Sequence, residues 1–216
     1  MATVKLVFSF LLAIFQVLTP VGALVINGGE GKFFSDWSAS DEFTTESYSE
    51  IKKNPEKDFV ILNLADVQLK DDILYDKRGE ETAKLIDELV REIKPDLITV
   101  SGDLAWAGYD HAYIMFAQLL EQFQIPWAPI WGNHDNQSGA EHVEKIVSDY
   151  AQFPHFLYEK GDPALGNGNY VICIEENGNP VEALIMMDSH DRADFTDANG
   201  NTTQAWAKLI PEQIEW

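Results

Sequence analysis

Pro126-Trp127-Ala128-Pro129-Ile130-Trp131, followed by Gly132-Asn133-His134-Asp135, is the stretch on which the fold turns. The apolar run, with Pro at its start, reads as a strand, and the polar tetrapeptide begins where that run stops. Toward the N-terminus the same punctuation recurs twice. Asp58-Phe59-Val60-Ile61-Leu62-Asn63-Leu64 reads as a buried strand and runs into Asp66-Val67-Gln68. Asp96-Leu97-Ile98-Thr99-Val100 runs into Ser101-Gly102-Asp103. Helical patterns separate the strands. Glu80 to Ile93 places Leu85, Ile86, Leu89, Val90 and Ile93 at helical spacing and is stopped by Pro95, and Tyr109 to Phe123 forms a second helix.

Downstream, a helix is expected near Ala140 to Tyr150. Two β-like runs follow at Asn169–Glu175 and Val181–Met187, joined by Glu176-Asn177-Gly178-Asn179-Pro180, whose Asn-Gly is a hairpin signal. Strand-helix-strand units followed by a hairpin imply an α/β class: a layered domain with a mixed β-sheet and flanking helices. That domain is expected over 58–216. Residues 24–57, with their Gly, Ser, Asp and Glu and scattered aromatics, read as an irregular N-terminal lead-in or short edge hairpin. Ile210-Pro211-Glu212-Gln213-Ile214-Glu215-Trp216 has Pro in the first turn of a helix that stops after about one turn. The expectation is a domain that is C-terminally incomplete.

In open α/β sheets ligands bind at the carboxyl ends of strands, so three polar strand ends converge on one site. A single Asp after a strand is most often a turn former or helix cap. Two carboxylates, an amide and an imidazole in one crevice suit a divalent metal centre instead. Gly102 and Gly132 let the backbone turn sharply beneath such an ion.

In these motifs the chain resembles the calcineurin-like metallophosphoesterases, especially their purple-acid-phosphatase-related branch. The family's first three ordered motifs are matched by Asp66-Val67-Gln68, Gly102-Asp103-Leu104-Ala105-Trp106 and Gly132-Asn133-His134-Asp135. The resemblance implies a pair of divalent ions, iron, manganese or zinc. Asp66 would bind the first, Asp103 would bridge both, and Asn133 would bind the second through its amide oxygen. Gln68 stands where a His ligand is usual and is a weak ligand or a supporting neighbour. His134 would sit over the leaving group, with Asp135 orienting it. Trp106 replaces the Asp or Tyr of the second motif, and the family's later strand-end His and Gly-His-x-His motifs have no match through Trp216. Phosphate-ester hydrolysis is implied, impaired or absent in a chain so shortened. The alternative is a non-catalytic secreted binding protein that keeps the fold.

Composition narrows the partners. Among 216 residues, Lys and Arg number 15 against 36 Asp and Glu, a net charge of −21. No basic run is present, so duplex nucleic acid is not an expected partner, and a small phosphate ester is. Lys5 is the sole charge before Glu30, Leu6–Leu18 is dominantly apolar, and Thr19-Pro20-Val21-Gly22-Ala23 ends in small residues. Residues 1–23 therefore read as a signal peptide cleaved after Ala23, giving a secreted protein. The competing reading is an uncleaved anchor, but the run falls short of the roughly 20 residues a bilayer needs. No stable membrane span is expected after cleavage, and the oligomeric state is not legible. Cys173, in a strand-like run, reads as a buried thiol, and Trp127 and Trp131 as core. His190, at a strand end, is the best-placed remaining histidine for a supporting or substrate role.

Overall fold

The computed structural model describes residues 49–70, 77–106 and 108–216. The expected leader, and the lead-in up to residue 48, lie outside the described residues. The order is β1 (Ser49–Lys52), β2 (Ile61–Leu64), α1 (Lys77–Ile93), β3 (Leu97–Ser101), α2 (Asp110–Glu121), β4 (Trp127–Ile130), α3 (Asn133–Asn136) and α4 (Ala140–Tyr150). A 3₁₀ turn at Pro163–Leu165 then leads to β5 (Tyr170–Glu176), β6 (Asn179–Met186), β7 (Arg192–Thr196), β8 (Thr202–Trp206) and α5 (Pro211–Glu215).

The alternating first half builds a parallel sheet in the order β2-β3-β4. Leu97, Ile98 and Val100 of the central β3 are fully buried, as a strand covered on both faces requires. The predicted buried strand ahead of them is shorter and only half covered. Leu62 and Leu64 face the core while Ile61 and Asn63 are exposed, the alternation of a strand covered on one face. The helix after it begins at Lys77 and buries Ala83, Ile86 and Val90. Leu85 falls outside that stripe and is 54% exposed.

Mixed pairing is found in a second sheet, ordered β1-β5-β6. β5 and β6 form the expected antiparallel hairpin, and Asn177 and Gly178 take the positive φ values (56° and 81°) that its tight turn needs. β1 runs parallel to β5, with Glu50 opposite Cys173. Thus part of the lead-in is a strand of the domain. The sheets meet where the Tyr170 hydroxyl donates to the Pro129 carbonyl at 2.6 Å.

Pro129 marks β4 as an edge strand, since it has no N–H to donate. That edge is covered by residues 155–157: Trp127 N–H donates to the His155 carbonyl (2.9 Å) and Leu157 N–H to the Trp127 carbonyl (2.8 Å). Around it Trp127, Trp131, Tyr150, Phe153, Phe156 and Tyr158 pack ring to ring with α2 and α4. Both tryptophans expected in the core are there.

Glu121, at the end of α2, is 3% exposed in this apolar setting. One oxygen lies 2.6 Å from His155 Nδ1, and the other accepts from Trp127 Nε1 (3.2 Å) and His155 N–H (3.3 Å). The carboxylate thus ties helix, strand and covering segment together. Glu121→Ala leaves three buried donors without their acceptor and is expected to lower unfolding free energy by about 3 kcal/mol. Urea titration checks this; a loss below about 1 kcal/mol would mean that the pair is not holding the edge.

Candidate active site

β2, β3 and β4 end side by side, and the segments that follow β2 and β3 are joined by backbone hydrogen bonds. Asp66 N–H donates to the Gly102 carbonyl (3.2 Å), Gln68 N–H to Asp103 (2.8 Å) and Leu69 N–H to Leu104 (3.1 Å). Asp66, Gln68 and Asp103 all hold positive φ, at 53°, 50° and 55°. For non-glycine residues this is an uncommon conformation, and such conformations cluster at functional sites.

Two glycines let the β3 and β4 loops touch. A Cβ on Gly102 would lie 2.7 Å from the Gly132 Cα, and one on Gly132 would collide with the Asp103 carboxylate. Gly102 also needs its φ of +87°. Beyond Gly132 the chain turns into the short α3, which carries Asn133, His134 and Asp135 in its first turn.

The structure corrects the role expected of Asp135. Its side chain is fully buried and its two oxygens accept from four donors: Asp103 N–H (2.8 Å), Leu104 N–H (3.1 Å), Gly132 N–H (2.8 Å) and the Tyr113 hydroxyl (2.9 Å). The Gly132 bond is the reach-back of a third-position carboxylate to the cap of its own helix. Asp135 therefore pins the β3 loop to the β4 loop. Burial pushes its carboxyl up to about 6, against the pull of those hydrogen bonds, and the Asp103 charge adds to the rise. The His134 ring is held by a different side chain: Nδ1 lies 3.0 Å from Gln137 Oε1, one helical turn on.

The remaining candidates converge. Asp103 is 7% exposed; its Oδ1 accepts His134 N–H at 2.9 Å, and its Oδ2 lies 4.0 Å from His134 Nε2. Gln68 Nε2 stands between the carboxylates, 3.4 Å from Asp66 Oδ1 and 3.3 Å from Asp103 Oδ2. Asn133 opens α3 directly before His134. Trp106 packs on the His134 ring, centroids 4.1 Å apart and tilted 40°, and Lys70 Nζ lies 5.8 Å from the Trp106 ring centroid.

The donor set fits a divalent cation. The amide nitrogen of Gln68 already places partial positive charge between two carboxylates, where a cation would neutralise both. Turned about its terminal bond, the same amide presents an oxygen instead. Carboxylate and amide oxygens are hard ligands that manganese or iron accepts. Among the described residues no group of three or more His, Cys, Asp or Glu side chains gathers.

Sequence reasoning missed Gln137, Tyr113 and Lys70. Gln137 could have been found from its spacing of three from His134; Tyr113 arrives from another helix and had no local signal. His190 lies elsewhere in a polar network, with Nε2 2.9 Å from Gln213 Oε1 and Nδ1 3.8 Å from the buried Asp188.

Comparison with known proteins supports the family that the motifs suggest and does not single out the purple-acid-phosphatase-related branch. A family model for calcineurin-like phosphoesterases matches residues 32–213. The phosphatase DCR2 of Saccharomyces cerevisiae is 27% identical over 126 residues, covering 53% of this chain and 22% of its own length. A probable cyclic nucleotide phosphodiesterase of Xenorhabdus bovienii is 25% identical over 144 residues, 60% of this chain and 58% of its own. A probable glycerophosphodiester phosphodiesterase of Arcobacter nitrofigilis is 33% identical over 60 residues, 28% of this chain and 21% of its own. The chain spans less than two thirds of the length of each.

Asp135→Ala is expected to lower stability by about 3–5 kcal/mol, because four buried donors lose their acceptor. Gln137→Ala, at an exposed position, should stay within about 0.5 kcal/mol. Paired urea titrations check both, and equal effects would mean that Asp135 is no clamp.

Proposed function

The chain belongs to the calcineurin-like phosphoesterase family, and from that premise we propose that it hydrolyses small phosphate esters with the aid of divalent metal ions, outside the cytosol. The observation that carries this reading is the rim itself. Hydrogen bonds between loops bring Asp66, Gln68, Asp103 and His134 to one place, with Asn133 beside them.

Asp66 and Asp103 would hold the first ion, with the amide oxygen of Gln68 as a further weak ligand, and Asp103 and Asn133 would serve the second. The second would need further donors beside them. Such ions supply Lewis-acid activation of water and neutralise charge on the phosphoryl oxygens. The protein's own part is positional. The Asp103 loop is fixed by Asp135 before substrate arrives, so its carboxylate needs little reorganisation. His134 has one ring nitrogen engaged by Gln137 and the other facing the Asp103 side of the rim. That nitrogen would give a proton to the departing alkoxide. Iron, manganese and zinc are all compatible with oxygen donors beside imidazole.

Secretion is supported by the charge, apolar run and small-residue end of residues 1–23. Among the described residues no helix is long and apolar enough to cross a membrane.

The test is turnover of p-nitrophenyl phosphate and bis(p-nitrophenyl) phosphate by the full chain with Mn²⁺, Fe²⁺ or Zn²⁺, then with EDTA. Metal should stimulate and chelator abolish activity, and Asp103→Asn should cost at least about 100-fold. His134→Ala should cost about 10²–10⁴ with the less activated alkyl esters. Activity indifferent to chelator and to Asp103→Asn would overturn the proposal, and none with any of the three metals would favour the non-catalytic binding protein instead. Separately, Edman sequencing of protein recovered from a secreting host should begin at Leu24; a sequence beginning at Met1 or Ala2 would contradict cleavage.

A further inference from the structure

The hydrolytic chemistry leaves one prominent side chain at the rim unused. Trp127 and Trp131 are 0% and 1% exposed and belong to the core, whereas Trp106 keeps 38% of its surface open. It is also firmly seated. Its N–H donates to the Leu69 carbonyl (3.0 Å), its own carbonyl accepts Tyr109 N–H (3.1 Å), and Leu69 and Ala105 beside it form a β-bridge. An exposed tryptophan costs hydrophobic burial that a smaller or polar residue would not. Its position has to be read from what it faces.

It faces His134. With the rings 4.1 Å apart, the His134 side chain is left only 16% exposed. A leaving group bound at the histidine therefore lies next to the indole. We propose that Trp106 is a specificity-determining residue, selecting phosphate esters whose leaving group is a flat aromatic or heteroaromatic ring. The inference rests on the reading of this site as a phosphoesterase centre.

Two physical points support that substrate class. A ring stacked on an indole gains dispersion and quadrupole contact that a short alkyl chain cannot match. Lys70, 5.8 Å from the indole centroid, puts a cation at the same rim of a chain whose net charge is −21. A phosphate dianion approaching the indole thus meets one favourable charge at short range, where most of the surface repels it.

The proposal is tested by binding, so that it does not depend on turnover. Calorimetry on the full chain in Mn²⁺ compares phenylphosphonate with methylphosphonate, which share a headgroup and have no ester to cleave. Wild type should bind the phenyl compound roughly tenfold more tightly. Trp106→Ala should erase that preference without weakening methylphosphonate, and Trp106→Phe should restore most of it. Equal affinities in wild type, or a preference that survives Trp106→Ala, would overturn the assignment while leaving the phosphoesterase reading intact. Failure of wild type to bind either phosphonate would bring down that underlying reading, and this one with it.

Discussion

Four donors from three separate parts of the chain meet at the Asp135 carboxylate, in a position closed to water. Dehydrating a carboxylate costs several kcal/mol unless fixed dipoles replace the lost water. Those dipoles exist together only when the β3 loop, the β4 loop and α2 have all docked. The electrostatic requirement of one group thereby enforces the mutual position of the elements that carry Asp103, Asn133 and His134. The paired glycines, Gly102 and Gly132, are the steric counterpart, since any side chain there would push apart the loops that Asp135 draws together.

Much of the fold was legible because its signals are local. Three strands ending in polar tripeptides, two intervening helices and an Asn-Gly hairpin each announce themselves within a few residues. β1 did not, since Ser49–Lys52 is short and polar and finds its partner in β5, more than a hundred residues away. The β7–β8 pair was readable in principle. Asn199-Gly200 separates two runs of alternating character, but the polar composition of those runs hid them. At the site, the residue types converging on the rim were legible and their division of labour was not. Asp135 stands next to His134 in sequence yet is buried on backbone donors and Tyr113, and the ring is held by Gln137. Sequence adjacency on a helix separates side chains by about 100°, so neighbours seldom share a task.

Acidity is distributed unevenly in its consequences. Of the chain's 36 carboxylates, Glu121 and Asp135 are inside and each gathers several donors. Asp66 and Asp103 lie at the rim, and there the Gln68 amide is the group that separates them. A neutral amide screens two carboxylates less well than an imidazolium or a metal ion. Of these acidic settings the rim is thus the one whose charge is incompletely answered by protein groups, which suits it to attract a cation.

The β7–β8 ribbon, finally, pairs only with itself among the described strands, and every residue of β8 is exposed. Arg192 lies over the Trp206 ring, 4.3 Å from its centroid, and closes the base of the ribbon from outside. A two-stranded unit of this kind contributes little to cooperative unfolding and opens locally on its own. Limited proteolysis of the native protein should then begin at the Asp197–Asn201 turn. Because none of the rim residues lies within the ribbon, the chain nicked there would keep its three strand ends and the loops that Asp135 holds together.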